Sequence, residues 1–417
     1  MATKPTKLPE WATAVDSTVE PPSGRKTSGW VVSTRPPARW FNWLLNNIYQ
    51  WCAYLKDGVF DGDITINSLD PSCAVMTDVD RKLVSAGGPP ATVELLQSVI
   101  SLMCLATWTE RGVYNEAYSE PVGGNTPLFD AAFGNGRWVA VGRHEEGLTY
   151  TPAMRYSIDY GASWETLHPS GDNGLNGIAY GNGVWVAVGD NDGTDALILR
   201  STNGTSWGSS VSNPATSLKK IAYGNGVWVA VGLVDFIRSI DDGVTWSAIT
   251  PPVSDNFYGV AYANGVWIAV GNSYIIRSAD DGATWTEVKN VSAGFRGVAY
   301  GVSNTWIAVG GARYKSTDNG LTWTVILASS DDSGIAYGNG AWVTGCKTVI
   351  GLGDGRRQEY SLDAGATWIS IPQPRLLTLN SFAYGNGVFL GVGETYGTGS
   401  GWRQDACIIA SMRNPLA

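Results

Sequence analysis

The chain has 417 residues, 44% of them hydrophobic, with 19 Trp, 52 Gly and a formal net charge of −9. That length and apolar content can fill a large core, the Trp and Gly suit repeated strands and turns, and the acidic balance speaks against a nucleic-acid binder. No apolar run of signal-peptide type opens the chain, and no segment has the length of a membrane span. Cys52, Cys73, Cys104, Cys346 and Cys407 lack framework or metal-ligand spacing and read as buried thiols from a reducing compartment. His144 and His168 are too few for a multi-His metal site, so neither metal nor cofactor is expected.

The charge is uneven. Residues 1–56 hold seven basic side chains against three acidic ones, a local balance of +4 that leaves −13 for the remainder. Residues 1–38 contain six Pro, which predicts an extended arm that gains order by lying on a partner, with Trp11 and Trp30 as apolar anchors. After Pro36 and Pro37, residues 38–58 read as a helix. Phe41, Leu44, Ile48, Trp51 and Leu55 step along it by 3, 4, 3 and 4, the rhythm of a coiled coil, which predicts self-association. A short amphipathic helix packed on its own domain would carry a similar stripe.

The layout Leu8-Pro9-Glu10-Trp11-Ala12, Gly29-Trp30, Pro36-Pro37, Asn42-Trp43-Leu44 and Trp51-x-x-Tyr54-Leu55 resembles the N-terminal virion-attachment segment of bacteriophage tail fibres and related tail appendages. The connector from Ala74 to Gly88, AVMTDVDRKLVSAGG, is similar to the short β-rich link of such fibres. The resemblance implies a tail protein of the virion, made in the bacterial host cytoplasm. It also implies docking on phage tail structural proteins through Trp11, Trp30, Trp43 and Trp51, and a homotrimer, with no membrane insertion. A second helix is predicted from Ala91 to Leu105, after Pro89 and Pro90. The expected division is 1–57 arm and helix, 58–104 connector, and 105–417 distal domain.

The distal domain is repetitive. AYGNGVWVAVG at Ala179 to Gly189 recurs in variant form around Phe133, Tyr180, Tyr223, Tyr262, Tyr300, Tyr337 and Tyr384, at spacings of 47, 43, 39, 38, 37 and 47 residues. Spacings of this size carrying several short strands predict an all-β fold, a seven-bladed β-propeller. Four strands are expected per blade: A ending in Ala-Tyr, B the VWVAV run, C an IIRS-like run, and D starting at Thr-Trp. Asn-Gly makes A and B a hairpin. The seventh unit stops after Ile408 to Ser411. Its missing strand D is supplied by residues 106–113, since Ala106-Thr107-Trp108-Thr109-Glu110 repeats Ala283-Thr284-Trp285-Thr286-Glu287.

Downstream of strand B, Ser-x-Asp-x-Gly-x-Thr-Trp recurs at Ser157, Ser239, Ser278, Ser316 and Ser361, and one residue shorter at Ser201. The element resembles the Asp-box of sialidase-like propellers. Asx-turn chemistry explains Asp159, Asp241, Asp280, Asp318 and Asp363 as structural residues, with positive φ at Gly and Trp164, Trp207, Trp246, Trp285, Trp323 and Trp368 in the core. The sialidase likeness implies three Arg, a Tyr-Glu pair and an Asp as catalytic groups. Against this, Arg155, Arg200, Arg238 and Arg277 precede the boxes as a repeated strand-C feature, no Arg-Ile-Pro motif occurs, and the repeated Tyr read as core. Glu145, Glu146, Asp190, Asp192, Asp195, Asp354 and Glu394 lie in loops, but no pair stands out for glycoside hydrolysis, and no catalytic residue is assigned.

The A–B and C–D turns fall on one face and are nearly uniform; the B–C and D–A connections fall on the other and vary. Recognition is expected on the variable face, pointing away from the N-terminal anchor. Arg356, Arg357, Tyr396, Trp402 and Arg403 offer aromatic surface beside cationic donors, which suits a charged host-surface glycan. A structural tail decoration without receptor role and a glycan depolymerase are the alternatives.

Overall fold

In the computed structural model the chain divides into two compact units, Met1–Cys104 with Asn414–Ala417, and Leu105–Arg413. The structure describes residues 66–70, 73–76, 108–113 and 126–411, the last range without 147, 192–194, 209–210, 234, 347–357, 372–376 and 396–405. The Pro-rich arm, both expected helices and the expected anchors Trp11, Trp30, Trp43 and Trp51 lie outside the described residues. Of the first unit, one antiparallel hairpin is described, Ile66–Asp70 with Cys73–Met76, paired Ile66 to Met76 and Asp70 to Cys73.

The second unit is a seven-bladed β-propeller. Its seven sheets are antiparallel meanders in the order A-B-C-D from the channel outward. Strand A spans Leu128–Gly134, Leu175–Gly181, Leu218–Gly224, Phe257–Ala263, Phe295–Tyr300, Asp332–Gly338 and Leu377–Gly385 in blades 1 to 7. The last sheet is completed by the distant Trp108–Val113, which pairs with Ala406–Ser411 from Cys407 opposite Val113 to Ser411 opposite Trp108. Blade 2 departs from the four-strand expectation: only Leu175–Gly181, Val184–Asn191 and Ala196–Ser201 form its sheet. Past its shortened turn the described residues still bond to strand C, through Gly208 N–H to Arg200 C=O, Val211 N–H to Ile198 C=O and Ala196 N–H to Ala215 C=O, without forming a fourth strand.

Strand B is apolar on both faces because each blade is covered on both sides. In blade 2, Trp185 and Ala187 pack toward Val139 and Val141 of blade 1, while Val186 and Val188 pack toward Ile221 and Trp228 of blade 3. The same rule closes the ring, where Leu390, Val392 and Ile408 of blade 7 meet Leu128, Trp138 and Trp164 of blade 1. Strand B adds Trp138, Trp185, Trp228, Trp267, Trp306 and Trp342, which lie deeper than the turn Trp that the sequence places in the core. Of those, Trp164, Trp246, Trp285 and Trp323 are buried, whereas Trp207 and Trp368 are only half-buried. The repeated Tyr are half-buried too, each tilted against its strand-B partner, as in Tyr180 on Trp185 at 4.8 Å.

Candidate functional site: the two ends of the central channel

The hairpin end is built from one turn repeated. In the A–B turns Asn and Gly both take positive φ, as at Asn182 (48°) and Gly183 (77°). This is the type I′ geometry that matches strand twist. The Ser-Asp turns follow a fixed scheme: Ser239 Oγ donates to Asp241 Oδ1 at 2.7 Å and accepts from Gly243 N–H at 3.0 Å, and Thr245 donates through N–H and Oγ1 at 2.9 and 2.6 Å. Trp246 Nε1 then donates to the Gly243 carbonyl, so the Trp belongs to the turn and strand D begins one residue later, at Ser247. Partial burial pushes these carboxyls upward, but hydroxyl and amide donors outweigh it and hold Asp241, Asp280, Asp318 and Asp363 at about 2; Asp159 is lowered in the same way. Acids locked in this state suit a turn and cannot hold a proton at neutral pH for general-acid chemistry.

Arg200, Arg238 and Arg277 tie the blades together. Each donates through Nε to the turn carbonyl of the next blade, at Asp242, Asp281 and Asn319, over 2.8, 2.8 and 3.1 Å. Arg155 does not share this register. It sits opposite Ala140, one position off, and is buried, where it donates to Thr166 Oγ1. A Tyr-Glu contact does occur, with the Tyr156 hydroxyl donating to Glu165, but on the outer strands of blade 1. That bond holds the Tyr156 pKa above its ordinary value, the wrong direction for a phenolate nucleophile.

The opposite end is varied, and its variation is concentrated on one position that the sequence reading passed over. In all seven blades the A–B ladder skips one residue near the start of strand A. A bulge of this kind re-aims the extra side chain. The skipped residues are Phe129, Asn176, Lys219 and Tyr258 in blades 1 to 4, then Arg296, Ser333 and Asn380 in blades 5 to 7. All seven line one cavity of about 210 Å³ at the channel mouth. The signal was present in the sequence as a varied column three residues before the repeated Ala-Tyr or Ala-Phe pair, but only the ladder reveals that the column is a bulge.

Next along strand A, the channel is narrow. Gly177, Gly259, Gly297 and Gly334 lie so near the adjacent strand that a Cβ would come within 3.0 to 3.2 Å of its Cα. The other three blades carry Asp130, Lys220 and Ser381 there. Lys220 Nζ reaches across the channel to Asp130 Oδ1 at 2.6 Å and to Ser381 Oγ at 3.3 Å, while Asp130 also accepts from Ser381 Oγ and Ile178 N–H at 2.8 and 3.0 Å. Blades 1, 2, 3 and 7 are thereby linked through one buried carboxylate.

At the same end, blades 5 and 6 meet through charge. Arg313 donates from Nε and Nη2 to Asp332 at 2.7 and 2.8 Å, with Glu359 Oε2 2.7 Å from Nη2 and the Trp368 ring 4.4 Å from the guanidinium carbon. Arg313 and Asp332 are 2% and 1% exposed.

The five residues expected to contact a receptor, Arg356, Arg357, Tyr396, Trp402 and Arg403, lie outside the described residues, as do Asp192 and Asp354. The described loop carboxylates are occupied locally: Glu145 by Arg143, Asp190 by Lys219 and Ser217, and Asp195 by Ser212 and the Asn213 N–H. Among the described residues no cluster of His, Cys, Asp and Glu could hold a metal ion.

No family model and no curated sequence matches the chain. Solved structures match it at the level of fold. One described as YCF48 bound to D1 peptide superposes with a TM-score of 0.52 at 16% identity, covering 72% of this chain and 97% of its own. YCF48 from Cyanidioschyzon merolae gives 0.51 at 14% identity over 73% and 98% of the two chains, and RRP9 WD40 repeats 0.52 at 8% over 73% and 97%. Likeness at these identities establishes the propeller and nothing about what it binds.

Proposed function

We propose that this chain is a bacteriophage tail appendage whose propeller recognises a host-surface glycan. The observation that carries the binding reading is the asymmetry of the channel. One end repeats the same two turns, Asn-Gly in six blades and Ser-x-Asp in five with a shortened copy in a sixth, while at the other the seven blades present six kinds of bulged side chain to a common cavity. A rigid ring that diversifies one position per blade is built for recognition, and the fixed, deprotonated turn carboxylates give no support to a hydrolase. The tail placement is supported by the arm and helix layout of residues 8–55, with Trp11, Trp30, Trp43 and Trp51 as anchors on tail structural proteins and the helix stripe as the seam of a homotrimer. The loops bearing Arg356, Arg357, Tyr396, Trp402 and Arg403 extend the recognition surface in this reading. A propeller-borne peptide site is the second reading, favoured by the fold likeness to a structure described with a bound peptide.

The test is competition. Saturating full-length protein should block adsorption of particles that carry it, and Trp402→Ala with Arg403→Ala should weaken the block at unchanged melting temperature. Undiminished adsorption would remove the receptor role, and absence of the chain from purified tails would remove the virion role. Host glycan shortened on incubation with the protein would replace binding by hydrolysis.

A further inference from the structure

The charges at the channel mouth do not cancel. Lys219 is held by Asp190 at 2.5 Å and Lys220 by Asp130 at 2.6 Å, two neutral pairs. Arg296 has no carboxylate partner among the described residues, and it is exposed toward the cavity that it lines. Its guanidinium lies over the Tyr258 ring, 4.3 Å from the centroid. Stacking engages the face of the guanidinium and leaves its N–H edge for a ligand, and that edge matches a carboxylate in two parallel bonds.

The groups around Arg296 are those that grip a polar ring. Asn176 and Asn380 each donate one amide hydrogen to the next blade, to Leu218 C=O at 2.9 Å and Leu128 C=O at 2.8 Å. Each amide is thus fixed in orientation, with its oxygen and second N–H left for ligand hydroxyls. Phe129, in the blade across the ring from Arg296, adds a half-buried aromatic wall. The volume of about 210 Å³ is below the ~300 Å³ at which pockets for drug-sized ligands begin, so it admits about one ring-sized unit. The Lys220 bridge to Asp130 and Ser381 obstructs the channel beyond.

We infer that the channel mouth binds one carboxylate-bearing sugar unit of an acidic saccharide, with Arg296, stacked on Tyr258, taking the carboxylate. A single uncompensated cation matches a singly charged carboxylate better than a phosphate dianion. The choice of a saccharide as the carrier of the carboxylate rests on the receptor reading above; the anion site itself rests on the geometry alone.

The experiment measures full-length protein on arrayed oligosaccharides ending in uronate or sialate, beside the same oligosaccharides reduced at the carboxyl group, sulfated neutral ones, and peptides with free C-termini. Retention of the carboxylate forms, loss on reduction, and a weakening of at least about tenfold in Arg296→Ala with Arg296→Lys intermediate are expected. Lys315→Ala, a cation of strand C that does not line the cavity, should change binding by less than about twofold. Failure to retain any acidic saccharide, equal retention of the reduced forms, or wild-type binding by Arg296→Ala would overturn the site. Retention of peptides alone would assign the mouth to a protein partner and overturn the saccharide class. Should Arg296→Ala lose thermal stability, the comparison of native with reduced saccharides on the unaltered protein still decides. If Arg296→Ala loses the saccharide while the unaltered protein fails to block adsorption, the site stands and the receptor reading falls; if Arg296→Ala blocks adsorption as well as the unaltered protein does, the reverse holds.

Discussion

The seam between blades 3 and 4 and the seam between blades 5 and 6 use the same three positions, keep Trp at one of them and fill the other two with opposite chemistry. Phe236, three residues before its turn Ser, meets Phe257 edge-on at 4.8 Å and Trp285 at 5.4 Å. Arg313, also three before its turn Ser, meets Asp332 in a two-bond fork and lies over Trp368. Phe257 and Asp332 both stand one residue before the bulge. At these positions the apolar seam asks for no ionic partner, although Trp267 Nε1 in the same cluster is buried without an acceptor among the described residues. In the ionic one, Thr344 Oγ1 lies 3.2 Å from Asp332 Oδ1, and Arg313 Nη1 remains buried without a partner among the described residues. A propeller seam thus needs volume and closure, not a fixed chemistry, but a charged seam depends on every member at once.

The largest effect should come from breaking that dependence. Arg313→Leu leaves Asp332 and Glu359 buried without their cation and is expected to cost about 3–5 kcal/mol in denaturant unfolding. Making the seam wholly apolar with Arg313→Ile, Asp332→Leu and Glu359→Ile, residues that other blades use at these positions, should recover most of the loss or exceed the starting stability. If the triple variant is no more stable than Arg313→Leu, the two seams are not interchangeable. Thr344→Val should cost about 1–3 kcal/mol, since it removes the hydroxyl bonds to Asp332 and, at 2.7 Å, to Gly334 C=O; the same assay reads it. On the apolar side Phe257→Leu should cost less than about 1.5 kcal/mol, because Leu128, Leu175, Leu218 and Leu379 fill the equivalent place.

The smallest effect is expected from acid, and it should fall on both seams alike. Asp280 of blade 4 and Asp363 of blade 6 both sit at about 2, below the ordinary 3.8. A depressed folded-state pKa contributes stability above the unfolded value that is lost as pH falls toward the folded one. The melting temperature should therefore hold above about pH 5 and decline toward pH 2. Asp280→Asn and Asp363→Asn should flatten the decline equally; a flattening confined to one would place the acid sensitivity in its seam instead of in the shared turn.

The sequence by itself determined the propeller, the number of its repeats and its turns. Those features are local or periodic: Asn-Gly and Asp-x-Gly fix φ within four residues, and the unbroken apolar run VWVAV calls for a strand covered on both sides. It misplaced Arg155, because a neighbour in the chain can be one rung off in the ladder, and it expected a fourth strand in blade 2, where the turn is one residue shorter and the sheet has three strands. What only the tertiary structure decided depends on residues far apart in the chain. The bulge is a mismatch between two strands, the Lys220–Asp130–Ser381 bridge spans 90 and 161 residues of sequence, and Arg296 stands without a carboxylate among the described residues only because Lys219 and Lys220 take theirs from other blades. Charge pairing across a ring is set by which strands the closure brings together, and no single repeat contains that information.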